Sequence, residues 1–120
     1  MLIISCADVY APEFLGCKDV LTVGGQIEWI RDPLNPEEKK ALKALGCQIL
    51  DAKGKKLFPG LIDRHVHITG GGGEGGFSTK TPEIMLSQLI RGGTTTVVGV
   101  LGTDGISRSV ENLLSKAKAA

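Results

Sequence analysis

Apolar and polar residues alternate on either side of Gly24-Gly25: Leu21 and Val23 alternate with Thr22, and Ile27 and Trp29 alternate with Gln26 and Glu28. A two-residue glycine loop between two such runs is typical of a β-hairpin. The segment Leu2–Tyr10 is apolar and β-branched enough for a strand, and Ala11-Pro12 ends it. The pattern predicts four strands, Leu2–Tyr10, Asp19–Val23, Gln26–Ile30 and Cys47–Asp51. A short helix, Glu37–Leu45, is predicted before the last strand. We therefore expect residues 1–55 to form a small β-rich domain.

The second half of the chain has a different order of elements. The pattern predicts the strands Lys56–Ile68 and Thr94–Leu101, a helix between them with Thr81 as its N-cap and Gly92-Gly93 as its end, and a last helix capped by Ser107 or Ser109. Strand, helix, strand, helix is the order of a parallel α/β sheet, which predicts an α/β fold for residues 56–120. Two parallel strands cannot form a stable sheet alone, because the sheet needs covered faces and paired edges. The last predicted helix also has no stop signal before Ala120. We expect the chain to be the N-terminal piece of a longer protein, natural or truncated.

Composition and charge exclude several classes of function. Lys plus Arg is 14 and Asp plus Glu is 13, a formal net charge of +1, which gives no field to gather nucleic acid or an anionic membrane surface. No apolar run approaches the roughly 20 residues of a bilayer span, and the first residues lack the basic segment of a signal peptide. Three cysteines without a CxxC pair argue against a disulfide framework. The sequence predicts a cytoplasmic protein with no nucleic-acid or membrane partner.

Two histidines lie at alternate positions near the end of the first predicted parallel strand. Side chains at i and i+2 of a strand point to the same face, so His65 and His67 are expected side by side. Barrel enzymes place their active sites at the carboxyl ends of strands, and imidazole is a common ligand of zinc. Asp63 shares the face and is expected to orient an imidazole by accepting its second N–H. The alternative is a polar strand end without metal, because two ligands are fewer than the three or four of a zinc site.

A glycine-rich loop, Gly70–Gly76, follows the histidines and contains one carboxylate, Glu74. The loop has no P-loop pattern and no basic residue before Lys80, which argues against phosphate binding. A carboxylate suits a cation such as a substrate ammonium group; the alternative is a flexible loop with a solvated glutamate. Thr103-Asp104 follows the second predicted strand and is therefore expected at the same end of the sheet; the alternative is a simple turn, since Asp104-Gly105 is a typical turn dipeptide.

The run PGLIDRHVH, from Pro59 to His67, resembles the first barrel strand (PGxxDxHxH) of the metal-dependent amidohydrolases. More narrowly, the segments HVHITGGGGEGG, STKTPE, GGTTTVVGVLGTD and ISRSVENLL resemble the isoaspartyl dipeptidases, or β-aspartyl peptidases. The resemblance covers nearly the whole chain and is specific from Phe58 to Leu114. It implies that residues 1–55 contribute to the small β domain of that superfamily. Residues 56–120 would be the first two βα units of a (β/α)8, TIM-type barrel, incomplete here because a barrel needs about 250 residues.

The same resemblance implies a site. His65 and His67 would bind the more buried of two zinc ions, which a carboxylated lysine bridges in the family. Glu74 would hold the free α-amino group of the substrate, and Gly72 and Thr103 would contact the substrate. The bridging lysine, two further histidines and the catalytic aspartate have no counterpart in these residues, so the chain is expected to supply metal and substrate ligands but no catalytic residue.

The reaction implied by the resemblance is hydrolysis of β-aspartyl dipeptides by a metal-bridging hydroxide in a homo-oligomeric metallo-dipeptidase. The isolated 120 residues are expected to be inactive and to associate through an unpaired apolar strand edge. Two alternatives stay open: another amidohydrolase, such as a dihydroorotase-like or hydantoinase-like cyclic amidase, and a non-catalytic α/β module. Glu74 distinguishes the dipeptidase from the cyclic amidase, because a cyclic amide has no free α-amino group that Glu74 could bind.

Overall fold

A computed structural model describes residues 1–119. The chain divides into two units, residues 1–59 and residues 60–119 of those described. The first unit is a mixed five-stranded sheet with one helix. Its elements are β1 (Leu2–Tyr10), β2 (Phe14–Val23), β3 (Gln26–Arg31), α1 (Pro36–Ala44), β4 (Gln48–Asp51) and β5 (Lys56–Leu57). β1 is central, since it pairs antiparallel with β2 and parallel with both β4 and β5.

The strand predicted over Leu2–Tyr10 is confirmed as β1. Its even-numbered residues are half-buried, while Ile3, Ser5, Ala7 and Val9 are buried. The predicted hairpin is also confirmed: Gly24 and Gly25 have φ of 57° and 81°, the left-handed values that a type I′ loop requires. β2 begins at Phe14, five residues before the predicted start, because the short turn after Tyr10 lets the chain pair with the end of β1 at once.

A fully buried carboxylate joins the strands of the first unit to its helix. Asp19 accepts hydrogen bonds from the N–H groups of Cys6 (2.7 Å) and Leu34 (3.0 Å) and from the Ser5 hydroxyl (3.1 Å), and Lys39 Nζ lies 3.4 Å from its second oxygen. Burial by itself raises the pKa of Asp19, but the donors and the lysine charge outweigh it, and the pKa is lowered. The side chain is therefore a charged, fully bonded cross-link.

The second unit contains one pair of parallel strands within the described residues, as predicted. Its elements are β6 (Leu61–Val66), a 3-10 helix (Phe77–Thr79), α2 (Leu86–Arg91), β7 (Thr94–Gly99) and α3 (Val110–Ala119). Ser109 Oγ accepts the Asn112 N–H at 3.2 Å, so Ser109 rather than Ser107 caps α3. None of the described helices is long and apolar enough to cross a membrane.

The prediction of one strand over Lys56–Ile68 is wrong. The segment forms β5, which belongs to the first sheet, and β6, which belongs to the second, with Phe58-Pro59-Gly60 between them. Pro59 has no N–H to donate, and a side chain at Gly60 would collide with Thr95. The chain passes from the first unit to the second between Pro59 and Gly60.

The predicted start of the second helix at Thr81 is wrong as well. α2 begins at Leu86, and Gln88 Oε1 accepts the N–H of Met85 at 2.8 Å in place of a cap by threonine. Thr81 is used elsewhere: its hydroxyl accepts the N–H of Gly71 at 2.8 Å, and its own N–H donates to the Gly71 carbonyl at 2.9 Å. The threonine therefore holds the glycine-rich loop instead of a helix.

Candidate functional site

The two predicted imidazoles lie next to each other. His65 is in β6 and His67 follows the strand directly; their ring centroids are 5.1 Å apart and the rings are tilted by 74°. Val66 between them is buried, as the alternation of a strand requires. The Nδ1 atom of His67 is buried and has no hydrogen-bond partner among the described residues.

A buried ring nitrogen without a partner is costly unless another group satisfies it. A metal ion would do so, and imidazole nitrogen is a donor that zinc accepts, so His65 and His67 fit two positions of a zinc site. Residues 1–119 contain no group of three or more His, Cys, Asp or Glu side chains placed to hold a metal. Within the described residues the pair therefore provides two ligands and no more.

The expected bond from Asp63 to an imidazole is not formed. Asp63 Oδ1 instead accepts the backbone N–H of His65 at 3.2 Å, while its side chain lines the same groove as the two histidines. The reason is local: a carboxylate two residues before an N–H reaches it without leaving the strand. Asp63 thus steadies the backbone that carries His65.

A hydrogen bond joins the side chains of Glu74 and Thr103, which are 29 residues apart in the sequence. The Thr103 hydroxyl donates to Glu74 Oε1 at 2.7 Å. That hydrogen bond is the main cause of a lowered pKa of Glu74, and the positive charge of Arg108 acts in the same direction. The carboxylate is therefore ionised at neutral pH and retains acceptor capacity for a cation.

One cavity brings all the predicted site residues together. It has a volume of about 390 Å³, within the usual range for small-molecule sites. Its lining consists of the two imidazoles, the loop carboxylate and its threonine partner, and backbone from both loops: His65, His67, Gly72, Glu74, Leu101, Gly102 and Thr103. Two candidate metal ligands and a charged carboxylate thus face one space at the carboxyl ends of β6 and β7.

Glycine is required at specific points of the loop that shapes this cavity. Gly70 and Gly72 have φ of 87° and 67°. A side chain at either position would also collide with a backbone carbonyl oxygen, that of Thr81 or Thr79 respectively. The conformation of the loop at Gly70 and Gly72 therefore requires glycine at both positions.

Arg108 is a buried residue of the site that sequence reasoning missed. Its side chain is 5% exposed, and its guanidinium donates to the carbonyls of Thr69 (3.2 Å), Gly71 (3.0 Å) and Gly72 (3.3 Å). The sequence gives no signal for this role, because an arginine beside a predicted helix cap is normally solvated. Burial of the guanidinium depends on where the glycine-rich loop folds.

Asp104 anchors the segment that carries Arg108. Its carboxylate pairs with Lys80 at 2.6 Å, accepts the Ser107 hydroxyl, and accepts the N–H groups of Ile106 and Ser107 at 3.0 Å each. Lys80 and these donors hold the pKa of Asp104 far below its usual range. The turn at Asp104-Gly105 is thus stabilised by a carboxylate that also pairs with Lys80, four residues after the end of the glycine-rich loop.

Comparison with known proteins first defines a class. No family model matches the chain. A dihydroorotase of Staphylococcus aureus is 35% identical over 94 residues, 78% of this chain and 20% of the relative. Adenine deaminase 2 of Oenococcus oeni is 37% identical over 93 residues, 74% of this chain and 14% of the relative. The chain is therefore similar to one part of enzymes of the amidohydrolase family.

Solved structures narrow the class. A β-aspartyl dipeptidase of Fervidobacterium islandicum AW-1, in complex with β-Asp-Leu, is 51% identical with a TM-score of 0.83. A second crystal structure of this enzyme is 50% identical with a TM-score of 0.84. Each of the two matches covers 98% of this chain. The predicted resemblance to β-aspartyl dipeptidases is confirmed. The chain spans 28% and 31% of these two structures, corresponding to their N-terminal region, and about a fifth of the dihydroorotases.

Proposed function

We propose that the protein containing this chain is a zinc-dependent β-aspartyl dipeptidase, for which the chain supplies two metal ligands and the carboxylate that binds the substrate amine. The observation that carries the proposal is the single cavity that collects His65, His67, Gly72, Glu74 and Thr103. Its support in sequence is 51% identity to a dipeptidase whose structure contains β-Asp-Leu.

The chemistry of the cavity suits that substrate. A β-aspartyl dipeptide has a free ammonium group two carbons from its scissile carbonyl, and ionised Glu74 is complementary to that ammonium. Thr103 orients the carboxylate through its hydrogen bond. His65 and His67 would hold zinc, which when bound supplies Lewis acidity toward the scissile carbonyl and the attacking water. Amine binding at Glu74 thus orients the substrate toward the imidazoles.

The proposal extends to the rest of the protein. We propose that the second unit is the start of a (β/α)8 barrel, with its first two βα units, and that the first unit is part of a small β domain; the parallel pairing of β6 with β7 supports the barrel. A second zinc ion and a carboxylated lysine outside these residues would complete the metal centre. The enzyme is proposed to be a cytoplasmic homo-oligomer.

Substitution of Glu74 by glutamine tests the proposal in the product of the complete reading frame. We expect kcat/KM for β-Asp-Leu to fall about 10²-fold, the scale for losing one partner of a charge pair. Hydrolysis of succinyl-leucine, which lacks only the α-amino group, should change little. Glu28→Gln, at an exposed position of β3, is the matched control. Equal loss on both substrates, or no hydrolysis of β-Asp-Leu by the unchanged enzyme, would contradict the proposal.

A cyclic amidase of dihydroorotase type is the second candidate, favoured by the 35% identity to dihydroorotases. Its substrate has no free ammonium group for Glu74 to bind. If this candidate is correct, the unchanged enzyme hydrolyses dihydroorotate faster than β-Asp-Leu, and Glu74→Gln leaves that rate nearly unchanged.

The 120-residue chain by itself is proposed to be inactive. Catalytic zinc sites use three protein ligands, and the described residues provide two. Purified chain mixed with zinc and β-Asp-Leu should release no leucine above the buffer rate. Release of leucine that stops on adding a chelator would refute this expectation.

A further inference from the structure

We propose that Arg108 is a positioning residue for the amine-binding carboxylate, because its guanidinium fixes the backbone of the glycine-rich loop between His67 and Glu74. The catalytic consequence of this role rests on the proposed function. The structural part does not: it concerns only what holds the loop in shape.

The loop has few means of its own to keep its conformation. Glycine has no side chain to pack and the largest conformational freedom of any residue, so a glycine run orders at high entropic cost. Arg108 offsets that cost with three hydrogen bonds from one planar group, to the carbonyls of Thr69, Gly71 and Gly72. The planar fork matters, because an ammonium group donates from one point and would not span these oxygens.

Among the described residues, the ion pair of Arg108 is a long one. Its Nη1 atom is 3.9 Å from Asp104 Oδ2, which is already paired with Lys80 at 2.6 Å. Burial of a guanidinium against backbone carbonyls has a desolvation cost. The hydrogen bonds to those carbonyls offset this cost and hold the backbone of the loop in one conformation. The arrangement is therefore better explained by loop geometry than by an ordinary ion pair.

One short segment holds the loop at both ends. Thr103 bonds the Glu74 carboxylate, and Arg108, five residues later, bonds the loop backbone up to Gly72. Asp104 between them binds Lys80 on the far side of the loop. The position of Glu74 relative to His67 thus depends on Arg108 through Gly72, two residues before the carboxylate.

The proposal predicts a selective defect. Arg108→Ala should lower kcat/KM for β-Asp-Leu about 10²-fold, mainly through a higher KM, since misplacing a binding group by about 1 Å has an effect of this size. Succinyl-leucine does not use Glu74, so its hydrolysis should fall less than about tenfold. Arg108→Lys should not restore the rate, whereas added guanidinium ion should partly restore Arg108→Ala. Arg91→Ala, an exposed arginine at the end of α2, is the matched control.

Two measurements separate positioning from loss of folding or of metal. In a Glu74→Gln background, Arg108→Ala should have little further effect on β-Asp-Leu, because the residue it positions is gone. Zinc content should equal that of the unchanged enzyme. Equal losses on both substrates, or a full additive loss in the double variant, would overturn the proposal.

Amide hydrogen exchange tests the loop directly and needs no activity. Exchange over residues 70–76 should be faster in Arg108→Ala and Arg108→Lys than in the unchanged protein and in Arg91→Ala. Exchange in β6 and β7 should stay the same, which reports that the second unit of each variant is folded. If the unchanged enzyme does not hydrolyse β-Asp-Leu, the proposed function fails while this result still decides the role of Arg108. Unchanged exchange in the loop would overturn that role.

Discussion

The two units of the chain bury different kinds of groups. Among the described residues ten hydrophobic side chains are buried, and eight of them lie in the first unit. In the second unit only Val66 and Ile68 are in this class, while Thr69 and Arg108 are buried polar residues beside the candidate site. The first unit is thus organised by an apolar core, and the second by polar contacts that shape a cavity.

Within the described residues each unit has one buried charged side chain, Asp19 in the first and Arg108 in the second, and the two bind different kinds of partner. Asp19 binds N–H groups of Cys6 and Leu34, joining a strand to the start of the helix segment. Arg108 binds carbonyls of a loop that lines the candidate site. We conclude that the first charge stabilises a fold and the second positions a binding group. Burial of a charge therefore does not by itself indicate function; what matters is which groups the buried charge binds.

Removal of a candidate metal ligand should have the largest effect. His67→Ala in the complete enzyme should lose bound zinc and lower kcat by about 10³-fold or more, because Lewis-acid activation supplies several kcal/mol. The first unit should keep its stability, since its core contains no part of the site. Metal analysis and chemical unfolding followed on the first unit check both parts. Retained zinc, or a first unit that unfolds more easily, would break the contrast.

Removal of the buried carboxylate of the first unit should have the opposite profile. Asp19→Ala should lower the free energy of unfolding by about 3–5 kcal/mol, because two buried N–H groups and Lys39 lose their partner. Asp32→Ala, which breaks an exposed pair with Lys18, is the control and should lower the free energy of unfolding far less, because solvent screens an exposed pair. Urea unfolding measures both. Similar losses in the two variants would contradict the role assigned to Asp19.

Sequence reasoning succeeded where local geometry decides. Alternation fixes the side on which residues i and i+2 lie, which is why the pairing of His65 and His67 was predictable. The hairpin at Gly24-Gly25 followed from turn chemistry. The hydrogen bond between Glu74 and Thr103 is different. Strand order placed Thr103 at the same end of the sheet as the glycine-rich loop, but no local rule predicts a bond between side chains so far apart in the sequence.

The failures share one cause, which is that tertiary contacts override local signals. Thr81 has the properties of an N-cap, but the glycine-rich loop takes its hydroxyl. Lys56–Ile68 reads as one apolar run, but Pro59 and Gly60 divide it between two sheets. Arg108 was missed for the same reason, because its carbonyl partners come together only after the loop has folded.

Acid pH should reveal a smaller difference. The pKa of Asp19 is lower in the folded chain than its unfolded value of about 3.9, so the folded state binds fewer protons there. The stabilisation is therefore complete above about pH 4 and is lost as the pH falls through the folded pKa. Asp19→Asn should flatten this dependence in unfolding measured on the first unit. An equally steep loss of stability in the variant would show that other carboxylates cause it.

The central claim is that two adjacent imidazoles and the carboxylate of a glycine-rich loop form one metal and substrate site. Anomalous diffraction at the zinc edge, from crystals of the complete enzyme soaked with β-Asp-Leu, tests it most directly. We expect zinc at about 2.0–2.1 Å from one nitrogen of both His65 and His67, with the substrate ammonium group on Glu74. Zinc bound elsewhere, or a substrate amine held by another residue, would contradict the account.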